Sequence, residues 1–208
     1  MTNQDPLSAT PRGTETLSGT AATPAPDTPF ADRALVLVGL MGAGKSSVGR
    51  RLACRLGRTF LDADEEIERA SGMTIPEYFE KYGEASFREG ESRVIQRLLA
   101  DGPVVLATGG GAFMNEDTRA AIRQAGLSIW LKADLETLVE RTARSTNRPL
   151  LRQGDPAQVL QSLMDQRYPV YAQADITIVS GRESAETTVD QVLEALARPD
   201  MANPDIAP

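Results

Sequence analysis

The chain has 208 residues, 41% of them hydrophobic, enough for one ordinary domain with a sizeable core plus tails. A net charge of -7 argues against nucleic acid as a partner, because a phosphate backbone needs a basic footprint. One cysteine excludes an intrachain disulfide, and the lack of histidine excludes Ser/His and Cys/His catalytic schemes and every His-ligated metal.

Residues 1–31 are rich in Thr, Ala, Pro, Ser and Asp and contain no apolar core of a secretory signal, so a disordered tail is predicted. A strand follows over Ala34 to Gly39, a continuous apolar run of the kind buried in parallel sheets. Val48, Leu52 and Leu56 then fall at helical spacing, and Gly57 supplies a stop. Arg58 to Asp62 reads as a second strand, followed by helices over Asp64 to Ala70, Pro76 to Lys81 and Glu84 to Ala100. Pro103 to Ala107 is a third strand and runs into Gly109, Gly110 and Gly111. Asn115 caps a helix to about Ala125, with Gly126 as its stop, and Leu127 to Leu131 is a fourth strand.

Asp134 caps the next helix. Arg144 to Asp155, polar and containing Pro149 and Gly154, is a loop, and Asp155 with Pro156 starts another helix. Ala174 to Val179 is a fifth strand, and Ala185 to Leu196 a last helix. Residues 199–208 read as a second flexible tail. Strands alternating with helices predict an α/β fold: five parallel strands flanked by helices in one domain over residues 32–198. No apolar run approaches the ~18 residues that cross a bilayer, and a reducing cytoplasm suits the single cysteine.

The segment GLMGAGKS, Gly39 to Ser46, matches the phosphate-binding pattern G-x-x-x-x-G-K-[ST] in full, and it joins a strand to a helix as that pattern requires. Its glycines permit a tight loop whose N–H groups converge on phosphate oxygens, and the helix adds its positive dipole end. Lys45 would reach the β- and γ-phosphates and the Ser46 hydroxyl would ligate Mg²⁺. The pattern does not identify the acceptor of the phosphoryl group.

Asp62 and Asp64 end the second strand, at the edge of the sheet where ligands bind in doubly wound folds. If the chain is still extended there, both carboxylates face the phosphate site, one for the Mg²⁺ shell and one to accept a hydroxyl proton. The alternative is that Asp64 caps the next helix. Gly109 to Gly111 either bring backbone N–H groups to a ligand or form a plain connection. Arg167 shares a stripe with Leu160, Leu163 and Met164, and Arg88 lines up with Ile95 and Leu99. An inward arginine needs an anion, either a substrate carboxylate or a neighbouring glutamate. Arg141, Arg144 and Arg148 make the following loop basic, suited to closing over a triphosphate.

Together the segments GLMGAGKSSVGR, LDADEEIE, FREGE, ATGGGA, RPLL, RYPVY and ADITI, in that order, resemble the shikimate kinases, a branch of the nucleoside-monophosphate-kinase-like P-loop proteins. The resemblance covers nearly the whole predicted domain. It implies a three-layer P-loop kinase fold with a mobile lid, and ATP-dependent phosphorylation of the shikimate 3-hydroxyl on the route to chorismate and the aromatic amino acids. By matching position, Lys45, Asp64 and Arg148 would be catalytic. Gly42, Ala43, Gly44, Lys45, Ser46 and Ser47 would hold ATP, with Arg141 on the adenine and Arg148 in the lid. Asp64, Arg88, Gly110, Gly111 and Arg167 would hold shikimate, and Ser46 and Asp62 would serve Mg²⁺. The family pattern has Ser-Thr after the P-loop lysine where this chain has Ser46 and Ser47, which keeps the hydroxyl at position 46. A cytoplasmic monomer whose partners are ATP and shikimate, with no nucleic acid and no membrane, is the expected form.

Overall fold

The computed structural model describes residues 30–143 and 155–198. The expected tails and nearly all of the basic loop lie outside them. Five parallel strands form one sheet: β1 (Ala34–Val38), β2 (Phe60–Asp62), β3 (Val105–Ala107), β4 (Gly126–Lys132) and β5 (Ile176–Val179), in the order β2-β3-β1-β4-β5. All five residues of β1 are buried, as a central strand covered on both faces demands. Because β1 lies between β3 and β4, the strand order reverses beside it, and loops leaving its carboxyl end open a crevice.

The helices are α1 (Lys45–Leu56), α2 (Ala63–Ser71), α3 (Ile75–Ala100), α4 (Glu116–Ala125), α5 (Leu135–Ala143), α6 (Pro156–Tyr171) and α7 (Ala185–Ala197). α3 is two helices in continuity: Gly83 breaks the helical path with φ 79° and ψ 170°, where the sequence places a gap between helical runs. Thr74 and Glu77 close a reciprocal capping box at its start. Asn115 caps α4 and Asp155 caps α6 through their side chains. Among the described residues no helix is long and apolar enough to cross a membrane.

One glycine does more than expected, and one carboxylate pair sits otherwise than expected. Gly126 follows α4 as its C-cap, its N–H donating to the Ile122 carbonyl, but its backbone is extended and it is already the first residue of β4, paired with Ala34. A Cβ there would lie 2.4 Å from the Ala34 carbonyl oxygen, so the requirement for glycine is close strand approach. Asp62 and Asp64 are not on one extended strand. The chain turns helical at Ala63, Asp62 is the N-cap of α2, and Asp64 stands in its first turn. The helix is capped by Asp62 and not by Asp64, because only the residue before the first turn keeps the extended backbone that lets its carboxylate reach back to the Asp64 N–H.

Candidate active site

The loop between β1 and α1 begins the site. Gly44 is the N-cap of α1 with φ 96°, a left-handed backbone that a Cβ would strain. Among the described residues no side chain caps this helix, so its first N–H groups and dipole form a ready anion site. The Lys45 ammonium folds over the same loop, donating to the carbonyls of Gly39 at 2.8 Å and Leu40 at 3.0 Å. On the other side of the loop Arg141, from α5, donates to the Ser180 hydroxyl at 3.0 Å, lies 3.4 Å from the Gly42 carbonyl, and also bonds the Gly181 carbonyl. Arg141 therefore ties the P-loop to the segment that follows β5.

Ser46 Oγ donates to Asp62 Oδ2 at 2.7 Å. Two hard oxygen ligands thus meet where α1 starts, a donor set that suits Mg²⁺ held by a hydroxyl and one carboxylate. Ser47 faces the other way and accepts from Arg51 Nη1 at 2.9 Å.

The Gly109–Gly111 turn crosses the floor of the crevice. A Cβ on Gly109 would lie 2.7 Å from Glu91 Oε1 and 2.8 Å from Asp64 Oδ1, so both carboxyls crowd this one glycine. Gly110 lies against the P-loop, within 3.7 Å of the Gly39 carbonyl as judged from its absent Cβ, and its own carbonyl accepts from Arg167 Nη1 at 2.8 Å. A Cβ on Gly111 would sit 2.5 Å from Arg88 Nη1 and would displace the guanidinium from this turn. The turn therefore brings together α2, α3, α6 and the P-loop.

Of the two kinds of partner that the sequence leaves open for Arg88, the structure shows the neighbouring glutamate, twice over. Its Nη1 donates to Glu91 at 2.9 Å and its Nη2 to Glu84 at 3.1 Å, and the guanidinium lies 5.3 Å from the Phe87 ring centroid. Glu91 is 2% exposed, its Oε2 is held by Arg88, and its Oε1 is buried with no hydrogen-bond partner among the described residues. Burial pushes the Glu91 carboxyl above its ordinary range, with Asp64 adding to the rise and Arg88 and Arg167 opposing it. Asp64 is pushed up as well, by burial first and then by Asp62, while Lys45 and Arg88 pull it down.

Of the residues expected from sequence, Asp64, Arg88 and Arg167 converge on the Gly109–Gly111 turn, which lies against the P-loop that carries Lys45 and Ser46, while Asp62 meets Ser46 and Arg141 braces the loop. Arg148 lies outside the described residues. Glu91 and Tyr171 escaped the sequence reading. Glu91 sits three residues after Arg88, the spacing of an ion pair on one helix face, and Tyr171 four residues after Arg167, the spacing of a shared face; both were legible in principle.

Residues 41–197 match the family model for shikimate kinase. A shikimate kinase of Paramagnetospirillum magneticum is 59% identical over 164 residues, covering 79% of this chain and 84% of the relative. One of Brucella canis is 58% identical over 165 residues, covering 79% and 82%. Among solved structures, the shikimate kinase of Acinetobacter baumannii in complex with shikimate superposes with a TM-score of 0.76 at 43% identity, covering 79% of this chain and 92% of that one. A gluconokinase of Sinorhizobium meliloti, at 20% identity and a TM-score of 0.55, shares the fold alone.

Proposed function

This chain belongs to the shikimate kinase family, and we infer from its crevice that it transfers the γ-phosphoryl group of ATP to the 3-hydroxyl of shikimate, a step toward chorismate and the aromatic amino acids. The observation that carries the reading is the convergence of two arginines and a perturbed carboxyl on the glycine turn that touches the P-loop. A phosphate site needs only the P-loop. A second substrate that is a small carboxylate bearing hydroxyls explains the rest.

The P-loop N–H groups, the α1 dipole and Lys45 bind the triphosphate and offset charge on the transferring group. Arg88 and Arg167 grip the acceptor carboxylate from two helices, which fixes the ring and brings its hydroxyl to Asp64. Asp64 accepts the hydroxyl proton as the oxygen attacks phosphorus in line with the departing ADP oxygen. Gly110 and Gly111 donate backbone N–H groups to the acceptor. Arg141 packs against the adenine, and Arg148, named from the RPLL motif, neutralises charge on the moving phosphoryl group. Ser46 and Asp62 would hold Mg²⁺, which when bound neutralises and orients the phosphate oxygens. One chain contributes every residue named, which supports a monomer, and the use of ATP supports a cytoplasmic reaction.

A coupled ADP-release assay with shikimate, gluconate and nucleoside monophosphates tests the reading. Shikimate is expected to give a rate far above the others. No rate above background with shikimate sinks it, and a rate with gluconate alone makes the chain a sugar-acid kinase on the same fold.

A further inference from the structure

The carbonyl of Gly110 accepts from two donors on α6: Arg167 Nη1 at 2.8 Å and the Tyr171 hydroxyl. Tyr171 is fully buried, and its ring is fixed by Phe113, Trp130 and Tyr168 at centroid distances of 6.4, 5.9 and 6.2 Å. A phenol so enclosed cannot swing to another partner. Burial also pushes its ionisation upward, so it remains a protonated donor at neutral pH.

Two donors on one carbonyl fix the plane of the peptide joining Gly110 to Gly111. A trans peptide carries its N–H opposite its C=O, so holding the Gly110 oxygen toward α6 turns the Gly111 N–H away from α6. The same bond pattern holds Arg167. Its guanidinium is anchored by a neutral carbonyl, whereas Arg88 is anchored by the carboxylates of Glu91 and Glu84.

We propose that Tyr171 is a positioning residue for acceptor binding: by sharing the Gly110 carbonyl with Arg167 it sets both the glycine-turn peptide and the arginine that meet the shikimate carboxylate. The proposal rests on the acceptor reading above and adds to it a residue that touches neither substrate.

Steady-state kinetics of the full chain test it with Y171F, which deletes the hydroxyl and keeps the ring, and with Y168F as control. The Tyr168 hydroxyl bonds the Ala133 carbonyl, beyond the end of β4, so Y168F removes a comparable bond from the same helix end without touching the glycine turn. Y171F is expected to raise the shikimate KM roughly tenfold, the worth of one well-made hydrogen bond, with kcat and the ATP KM within about threefold of wild type. Y168F is expected to leave the shikimate KM unchanged. An unchanged shikimate KM in Y171F, or an equal rise in Y168F, overturns the proposal while leaving the kinase reading intact. Wild type inactive on shikimate brings down the kinase reading, and this proposal with it. If Y171F fails to fold, the wild-type chain carrying 3-fluorotyrosine at its four tyrosines gives a ¹⁹F resonance for Tyr171. That resonance is expected to shift with saturating shikimate, and an unmoved one overturns the proposal.

Discussion

Arg88 and Glu91 form an ion pair at 2.9 Å in which the acid is 2% exposed and the base 28%. The unequal depth divides the consequences. At Glu91 burial outweighs attraction and favours the neutral acid; at Arg88 attraction outweighs burial and favours the cation. The pair therefore adds little net stability, and its role is to hold a cation in a set orientation. Lysine would retain the charge but could not bond Glu91 and Glu84 at once while offering a flat fork to a carboxylate. Arg88→Lys is expected to raise the shikimate KM by about 10–100-fold, with the ATP KM within twofold. Equal movement of both constants in the kinetic assay would show that Arg88 supports the whole domain instead of the acceptor.

Asp64→Asn separates stability from turnover. A carboxyl whose folded pKa is raised favours folding below its unfolded pKa, and that contribution is lost as pH rises through the folded value. At neutral pH the ionised Asp64 thus opposes folding. The amide removes that opposition, so the melting temperature should rise at pH 7–8, and the gain should vanish as pH falls toward about 4. Turnover should drop by about 10²–10⁴-fold through loss of the proton acceptor, with ATP affinity retained. In wild type the acidic limb of kcat/KM should lie above the usual aspartate range. Scanning calorimetry and a pH-rate profile check both halves, and normal turnover in the variant removes Asp64 from the mechanism.

How much of this was legible in sequence follows from how local each feature is. The P-loop is eight consecutive residues, and β1, whose residues are all buried, is a plain apolar run. Both could be read directly. The Asp62–Asp64 pair was visible, but its geometry was not, because a three-residue strand turning helical at Ala63 leaves no periodicity to detect. Gly126 follows a helix as the sequence reads; that its hydrogen is also needed against Ala34 depends on strand pairing between distant segments. The spacing of Glu91 from Arg88 marks an ion pair, but that its carboxyl lies against Gly109 depends on contacts between distant segments.

Asp62 makes two contacts that one substitution can separate. Its Oδ1 caps α2 by accepting from the Asp64 N–H at 3.1 Å, while its Oδ2 meets Ser46 at 2.7 Å. Asparagine caps a helix about as well as aspartate, so Asp62→Asn should change folding stability by no more than about 0.5 kcal/mol. It removes the negative charge from the oxygen pair proposed for Mg²⁺. The Mg²⁺ concentration giving half-maximal rate should rise about tenfold or more, with full activity approached at high Mg²⁺. An unchanged Mg²⁺ dependence would argue that Asp62 serves the helix alone.

Gly111→Ala and Gly126→Ala should fail in opposite ways. At Gly111 the new Cβ would meet the far end of a flexible side chain, Arg88 Nη1 at 2.5 Å. The guanidinium yields at little cost in stability, but it leaves the position proposed for gripping the acceptor carboxylate. The shikimate KM should rise at least tenfold with the melting temperature almost unmoved. At Gly126 the Cβ would meet backbone, the Ala34 oxygen at 2.4 Å, in the register that joins β1 to β4. Backbone in a central pair cannot move aside without disturbing the sheet. That variant should lose about 2–4 kcal/mol of stability, and the fraction that folds should bind shikimate normally. Melting curves beside kinetics at low temperature distinguish the two. A stable Gly126→Ala enzyme would mean that the two strands can separate at this point without cost to the fold.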